Sequence, residues 1–94
     1  MDKFVLVLSP STVRDLDSLE EKVVIKILKK LSLLETDPFP RGKLIKKIKG
    51  KKSVFYRLRV DKYRVFYFIN DRDVVVLKII GKKDADKFIK SIDR

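Results

Sequence analysis

Apolar positions fall along this chain in short runs separated by charge. "FVLVL" at Phe4–Leu8 is apolar throughout, which predicts a strand that is central in its sheet or buried on both faces. "SPS" follows, with Ser9 placed to cap a helix and Pro10 at its first position. Val13, Leu16 and Leu19 recur at helical spacing, and "SLEE" at Ser18–Glu21 has the pattern of a capping box opening a second helix. That helix is expected to run to about Glu35, with Val23, Val24, Ile27, Leu28, Leu31 and Leu34 as one apolar stripe. "DPFPRG" ends it, because two prolines within three positions cannot continue a helix.

"KLIKKIKGKK" alternates too poorly to assign and reads as a short edge strand or a basic loop. Three strands follow, about Val54–Val60, Tyr63–Ile69 and Val74–Ile80, joined by turns short enough for antiparallel hairpins. "GKKDADKFIKSIDR" closes with a loop and a short helix. The expected order is β-α-α-β-β-β-α in one domain over residues 1–94. This is an α+β fold: an antiparallel sheet of about four strands, with an N-terminal helical hairpin on one face and a short C-terminal helix.

Composition narrows the chemistry. Zero cysteines give no disulfide framework, and no apolar run approaches the roughly 20 residues that span a bilayer, so a cytoplasmic protein is expected. Histidine is absent, which removes the commonest general base and any Cys/His metal site; neither a metal nor a cofactor is expected. Scarce Gln, Asn and Met beside abundant Lys, Glu and Ile fit a heat-adapted source. The net charge is +11, and between Arg41 and Arg64 the only acid is Asp61 against eleven Lys and Arg. Such a field attracts polyanions, nucleic acid first. A solvated lysine surface is the plainer alternative.

"VFYRLRVDKYRVFYFIN" raises the sharper question, since it sets Arg57, Arg59 and Arg64 among aromatic and β-branched residues on strands. Alternation places Arg57 and Arg59 together on one face, with Tyr56, Leu58 and Val60 on the other. A two-residue turn at Asp61–Lys62 sets Arg59 opposite Arg64. Like charges in that relation destabilise a sheet, so the pair suggests an anion site. Stacking on Phe66 or Phe68, or pairing with Asp84 or Asp86, would account for the arginines otherwise.

These segments together resemble the RelE/ParE family of toxins from type II toxin–antitoxin operons. The parts that carry the likeness are "YRLRV" (Tyr56–Val60), "YRVFY" (Tyr63–Tyr67), "VVVLKI" (Val74–Ile79) and "GKK" (Gly81–Lys83). RelE-type members cut messenger RNA in the ribosomal A site, and their partner is a RelB-like antitoxin. The resemblance implies catalytic roles for Arg57, Arg59, Arg64 and Lys83. Lys46, Lys49 and Lys52 of the basic linker, with Lys82, would grip RNA, and Phe88 would stack on a base. Two positions depart from the family pattern: lysine stands for arginine in "GKK", and Phe88 for a tyrosine, so Phe88 has no proton to exchange. A ParE-like action on DNA gyrase, and a basic nucleic-acid-binding protein without catalysis, are the alternatives.

Overall fold

A computed structural model describes residues 3–92. β1 (Val5–Leu8) leads into α1 (Pro10–Asp17) and α2 (Glu21–Leu33). β2 (Ile45–Lys49), β3 (Val54–Val60), β4 (Tyr63–Asn70) and β5 (Asp73–Gly81) follow, then a 3₁₀ turn (Lys82–Asp84) and α3 (Ala85–Ile92). The basic linker is therefore an edge strand. The sheet has five strands in the order β1-β5-β4-β3-β2, antiparallel except for the parallel β1–β5 pair. The α+β architecture matches expectation, with one strand more than the four read from the pattern.

The helical hairpin covers one face. Ile27, Leu31 and Leu34 pack there with Ile45, Leu58, Val60, Val65, Tyr67, Val74, Val76 and Ile79. Ser9 caps α1 as expected, accepting from the Thr12 N–H at 3.1 Å. The capping box does not form. Ser18 lies at φ −90°, ψ −4° and closes α1, whereas a cap needs extended backbone; Glu20 takes the cap position ahead of α2 without a side-chain bond. Leu28 also leaves the expected stripe and is exposed.

β1 corrects another expectation. It is an edge strand, with Phe4, Leu6 and Leu8 packed inward and Val5 and Val7 exposed at 55% and 39%. α3 is too short, at eight residues or about 12 Å, to reach across the sheet and cover it. From Val76, where β1 ends, the edge of β5 is completed by side chains of α1 and its cap Ser9. Thr12 donates to the Val76 carbonyl at 2.9 Å, Ser9 to that of Leu77 at 3.0 Å, and Asp15 accepts from the Ile79 N–H at 2.9 Å. Asp15 also pairs with Lys78 at 2.9 Å, which pins α1 to the strand.

A bulge at Phe66/Tyr67 shifts the register between β4 and β5. It changes the phase of β5, so that Val74, Val76 and then Ile79 reach the same core. The opposite face carries a second, smaller core. There Phe55 and Phe66 lie under Ala85, Phe88, Ile89 and Ile92 of α3, flanked by Ile48, Phe68 and Ile80.

Candidate nucleic-acid interface

Strand alternation sends Leu58 and Val60 into the hairpin core, and therefore Arg57 and Arg59 to the face of α3. The expectation that this face stands open holds over half of it. α3 covers the end bearing Phe55 and Phe66, and the arginines occupy the rest. Arg59 pairs with Arg64, and Arg57 with Phe66 on one side and Lys46 on the other. Lys46, Arg57, Arg59 and Arg64 thus form one basic patch at the edge of the α3 core.

The three arginines differ in setting. Arg59 is exposed and Arg57 half-buried, while Arg64 is only 6% exposed. The Arg64 Nη1 donates to the backbone carbonyls of Asp61 at 3.0 Å and Tyr63 at 2.8 Å, so the guanidinium is held over the turn that joins β3 to β4. Burial, then the charges of Arg57 and Arg59, push its pKa below the ordinary arginine value. It remains a cation near neutrality, because even a lowered guanidinium keeps its proton there. Among the described residues none of the three forms an ion pair; Asp84 and Asp86 do not reach them. The patch thus carries positive charge without an ion-pair partner at the three arginines, presented to solvent through Arg59 and in part Arg57, with Arg64 buried behind them.

The linker lysines divide. Ile45 faces the hairpin core and Ile48 the α3 core, so Lys46 joins the arginine face while Lys49, opposite Val54, lies on the other. Lys52 is exposed in the β2–β3 loop, and Lys82 and Lys83 are exposed in the 3₁₀ turn after β5. The Lys82 N–H donates to the Lys62 carbonyl at 2.8 Å, bringing that turn to the end of the β3–β4 hairpin near Arg64. Phe88 is taken up in packing, its ring 5.0 Å from that of Phe66. That contact gives it a structural task beside the expected one of stacking on a base. Two further residues escaped the sequence pattern: Lys62 and Tyr63, which line a cleft with Gly81, Lys82 and Lys83. Only the tertiary meeting of turn and 3₁₀ segment reveals them. Among the described residues no cluster of His, Cys, Asp or Glu is placed to hold a metal, and no helix is long and apolar enough to cross a membrane.

A five-stranded sheet under a helical hairpin, with a basic patch beside its last helix, is the frame of a known class of small toxins. Residues 6–93 match the family of ParE toxins of type II toxin–antitoxin systems, parDE. Over 88 residues the chain is 33% identical to the RelE1 protein of Methanocaldococcus jannaschii, covering 90% of this chain and 97% of that one. The archaeal RelE–RelB complex from Pyrococcus horikoshii OT3 superposes with a TM-score of 0.72 at 29% identity, over 84% of this chain and 94% of that one. The RelBE2 toxin–antitoxin complex of Mycobacterium tuberculosis, at 19% identity and a TM-score of 0.73 over 85% and 99% of the two chains, shares the fold. The chain belongs to the RelE/ParE superfamily and is the toxin component of a type II toxin–antitoxin system.

Proposed function

We propose that this toxin is a ribosome-dependent endoribonuclease that cuts messenger RNA in the A site and so stops translation in the cytoplasm. The observation that carries the reading is the pairing of exposed Arg59 with buried Arg64, with half-buried Arg57 beside them: three clustered cations that have no carboxylate partner among the described residues. RNA supplies its own nucleophile: the 2′-hydroxyl attacks the adjacent phosphorus, the bond to the 5′-oxygen breaks, and a cyclic phosphate and a 5′-hydroxyl result. The phosphorane formed on the way bears extra negative charge, which Arg57, Arg59 and Arg64 are suited to stabilise. Lys83 is the group suited to protonate the leaving 5′-oxygen, and the 2′-hydroxyl proton leaves to water. Lys46, Lys52 and Lys82 would hold flanking phosphates. Such a site lacks a built-in base, and alignment of the message by the ribosome would make good the lack.

A RelB-like antitoxin is the partner this reading requires, as in the RelE–RelB complex of P. horikoshii. An acidic, amphipathic chain would mask the basic patch and cover exposed apolar residues such as Val5, Val7, Ile25 and Leu28. Co-expression tests this: rescue of growth by the acidic protein encoded beside the toxin is expected.

The family match to ParE toxins supports a second reading, inhibition of DNA gyrase, which needs no cutting of RNA. Primer extension on programmed ribosomes separates the two. Discrete cuts in the message are expected, and Arg64→Ala should slow them about 30- to 1,000-fold, the equivalent of 2–4 kcal/mol in the transition state. Intact message with inhibited supercoiling would transfer the case to gyrase. Intact message and untouched gyrase, with salt-sensitive RNA binding, would leave a binding protein.

A further inference from the structure

Asp61 is the one acid among the eleven basic residues from Arg41 to Arg64, beside a patch suited to anions. A carboxylate aimed at that patch would offset the charge it presents. Asp61 is turned away instead. Its Oδ2 lies 3.5 Å from Lys26 Nζ on α2, an exposed pair of the kind that contributes little. What sets Asp61 apart is its backbone. At φ 54° it lies in the left-handed region, which aspartate tolerates far better than β-branched residues do.

That backbone directs a carbonyl. The Asp61 carbonyl accepts from Arg64 Nη1 at 3.0 Å, and the Tyr63 carbonyl accepts from the same nitrogen at 2.8 Å. A guanidinium has five N–H donors, two of them on Nη1, so both of those are engaged. Nε and Nη2 make no bond among the described residues. No buried side-chain nitrogen there lacks a partner, so both atoms touch solvent although Arg64 as a whole is buried. The Nε and Nη2 N–H groups point the same way and match two oxygens of one phosphate. With Nη1 tied to the turn, that edge is the one left to an anion.

We infer that Asp61 is a positioning residue for Arg64: its left-handed backbone aims the carbonyl that pins Nη1, and so fixes which edge of the guanidinium meets phosphate. The inference rests on the RNA-directed reading above and adds to it a residue that acts through its backbone and not through its charge. A β-branched residue at position 61 would favour another turn conformation, swing the carbonyl away and free the guanidinium to rotate.

The test compares Asp61→Gly and Asp61→Asn, which permit the left-handed backbone without the carboxylate, with Asp61→Val, which disfavours it. Asp71, at φ 58° in the turn at the opposite end of β4, is the matched control, because Asp71→Val carries the same backbone cost away from the patch. Nitrogen-15 NMR of the arginine side chains reads the pin directly: Nη1 hydrogens held by two carbonyls give resolved signals, and free rotation averages them. Resolved Arg64 signals are expected in the wild type, Asp61→Gly, Asp61→Asn and Asp71→Val, and averaged ones in Asp61→Val. On programmed ribosomes Asp61→Val should slow cutting at saturating toxin by about 10- to 100-fold, the scale of a misplacement of about 1 Å. The half-saturating concentration should change little. In an Arg64→Ala background Asp61→Val should add no further loss. Asp61→Ala, a milder form of the same backbone cost, should lie between, and thermal melting against Asp71→Val separates loss of the pin from loss of the fold. Wild-type Arg64 signals in a folded Asp61→Val protein would overturn the inference. So would losses in Asp61→Gly and Asp61→Asn equal to that in Asp61→Val, or averaged Arg64 signals in the wild type. If the wild type leaves messages intact, the cleaving reading fails, and the NMR signals alone decide the positioning role.

Discussion

Arg59 and Arg64 are direct partners across the β3–β4 ladder, yet one is exposed to water and the other buried over the turn. Their repulsion is a cost to the fold, so removing the exposed member should stabilise it. Arg59→Ala is expected to gain about 0.2–1 kcal/mol in urea unfolding at low salt, with the gain shrinking as salt screens the charges. Arg64→Ala should go the other way, by about 0.5–1.5 kcal/mol, since the Asp61 and Tyr63 carbonyls lose their donor. A destabilised Arg59→Ala protein would show that the pair does not repel. Stability and cutting should move in opposite directions at Arg59, as they do where a strained site is kept for use.

Lys46 and Lys49 are three residues apart on β2 and lie on opposite faces. Lys46→Ala should lower RNA affinity and reduce the slope of log affinity against log salt by about one, the signature of one lost phosphate contact. Lys49→Ala should leave both nearly unchanged. Equal effects from the two would mean that RNA wraps the β2 edge and does not lie on the arginine face.

Phe88→Ala should act on the fold first. The ring packs against Phe66 and is partly exposed, so a loss of about 1–3 kcal/mol is expected, below the range for a fully buried phenylalanine. Phe88→Leu should recover most of it. Full activity of Phe88→Leu in primer extension would confirm packing as the role of the ring, and a stable but inactive protein would restore base stacking.

Tyr67 sets an alkaline limit. Its hydroxyl donates to the Pro38 carbonyl at 2.8 Å, and burial, then Tyr56, push its pKa well above the ordinary tyrosine value. In the unfolded chain the phenol ionises at about pH 10, so its contribution to stability is complete below that pH and falls as pH rises through and beyond it. Tyr67→Phe should cost about 1–3 kcal/mol at pH 7, because the buried carbonyl loses its partner. The same variant should flatten the decline in stability above pH 10, as read by denaturant midpoints across that range.

Much of this was legible in the chain because turns of two residues fix register. Once Asp61–Lys62 is taken as the turn, the Arg59–Arg64 pairing and the shared face of Arg57 and Arg59 follow from alternation alone. β2 resisted for a physical reason: Ile45 and Ile48, an odd number of residues apart, serve cores on opposite faces, so no period of two could show. The bulge hid the phase of β5 in the same way. β1 misled because an apolar run does not say which of its sides will find cover. The cover that α3 gives half the arginine face, and the bonds of Arg64 to the turn, depend on packing and rotamer and leave no trace in local pattern.

The parallel pairing of β1 with β5 bears on how the chain comes together in time. Ser9 and Leu77, which bond at that edge, are 68 residues apart. Contacts so remote in sequence form late, since the intervening chain must be gathered before they return any energy. The β3–β4 hairpin closes through two residues and needs no such wait. A polypeptide leaving the ribosome N-terminus first therefore carries its opening strand without a partner until the segment from Asp73 to Val76 has been made. The basic hairpin can assemble before the sheet has its far edge, so charge is on display while the apolar strand at the start of the chain is still unclaimed.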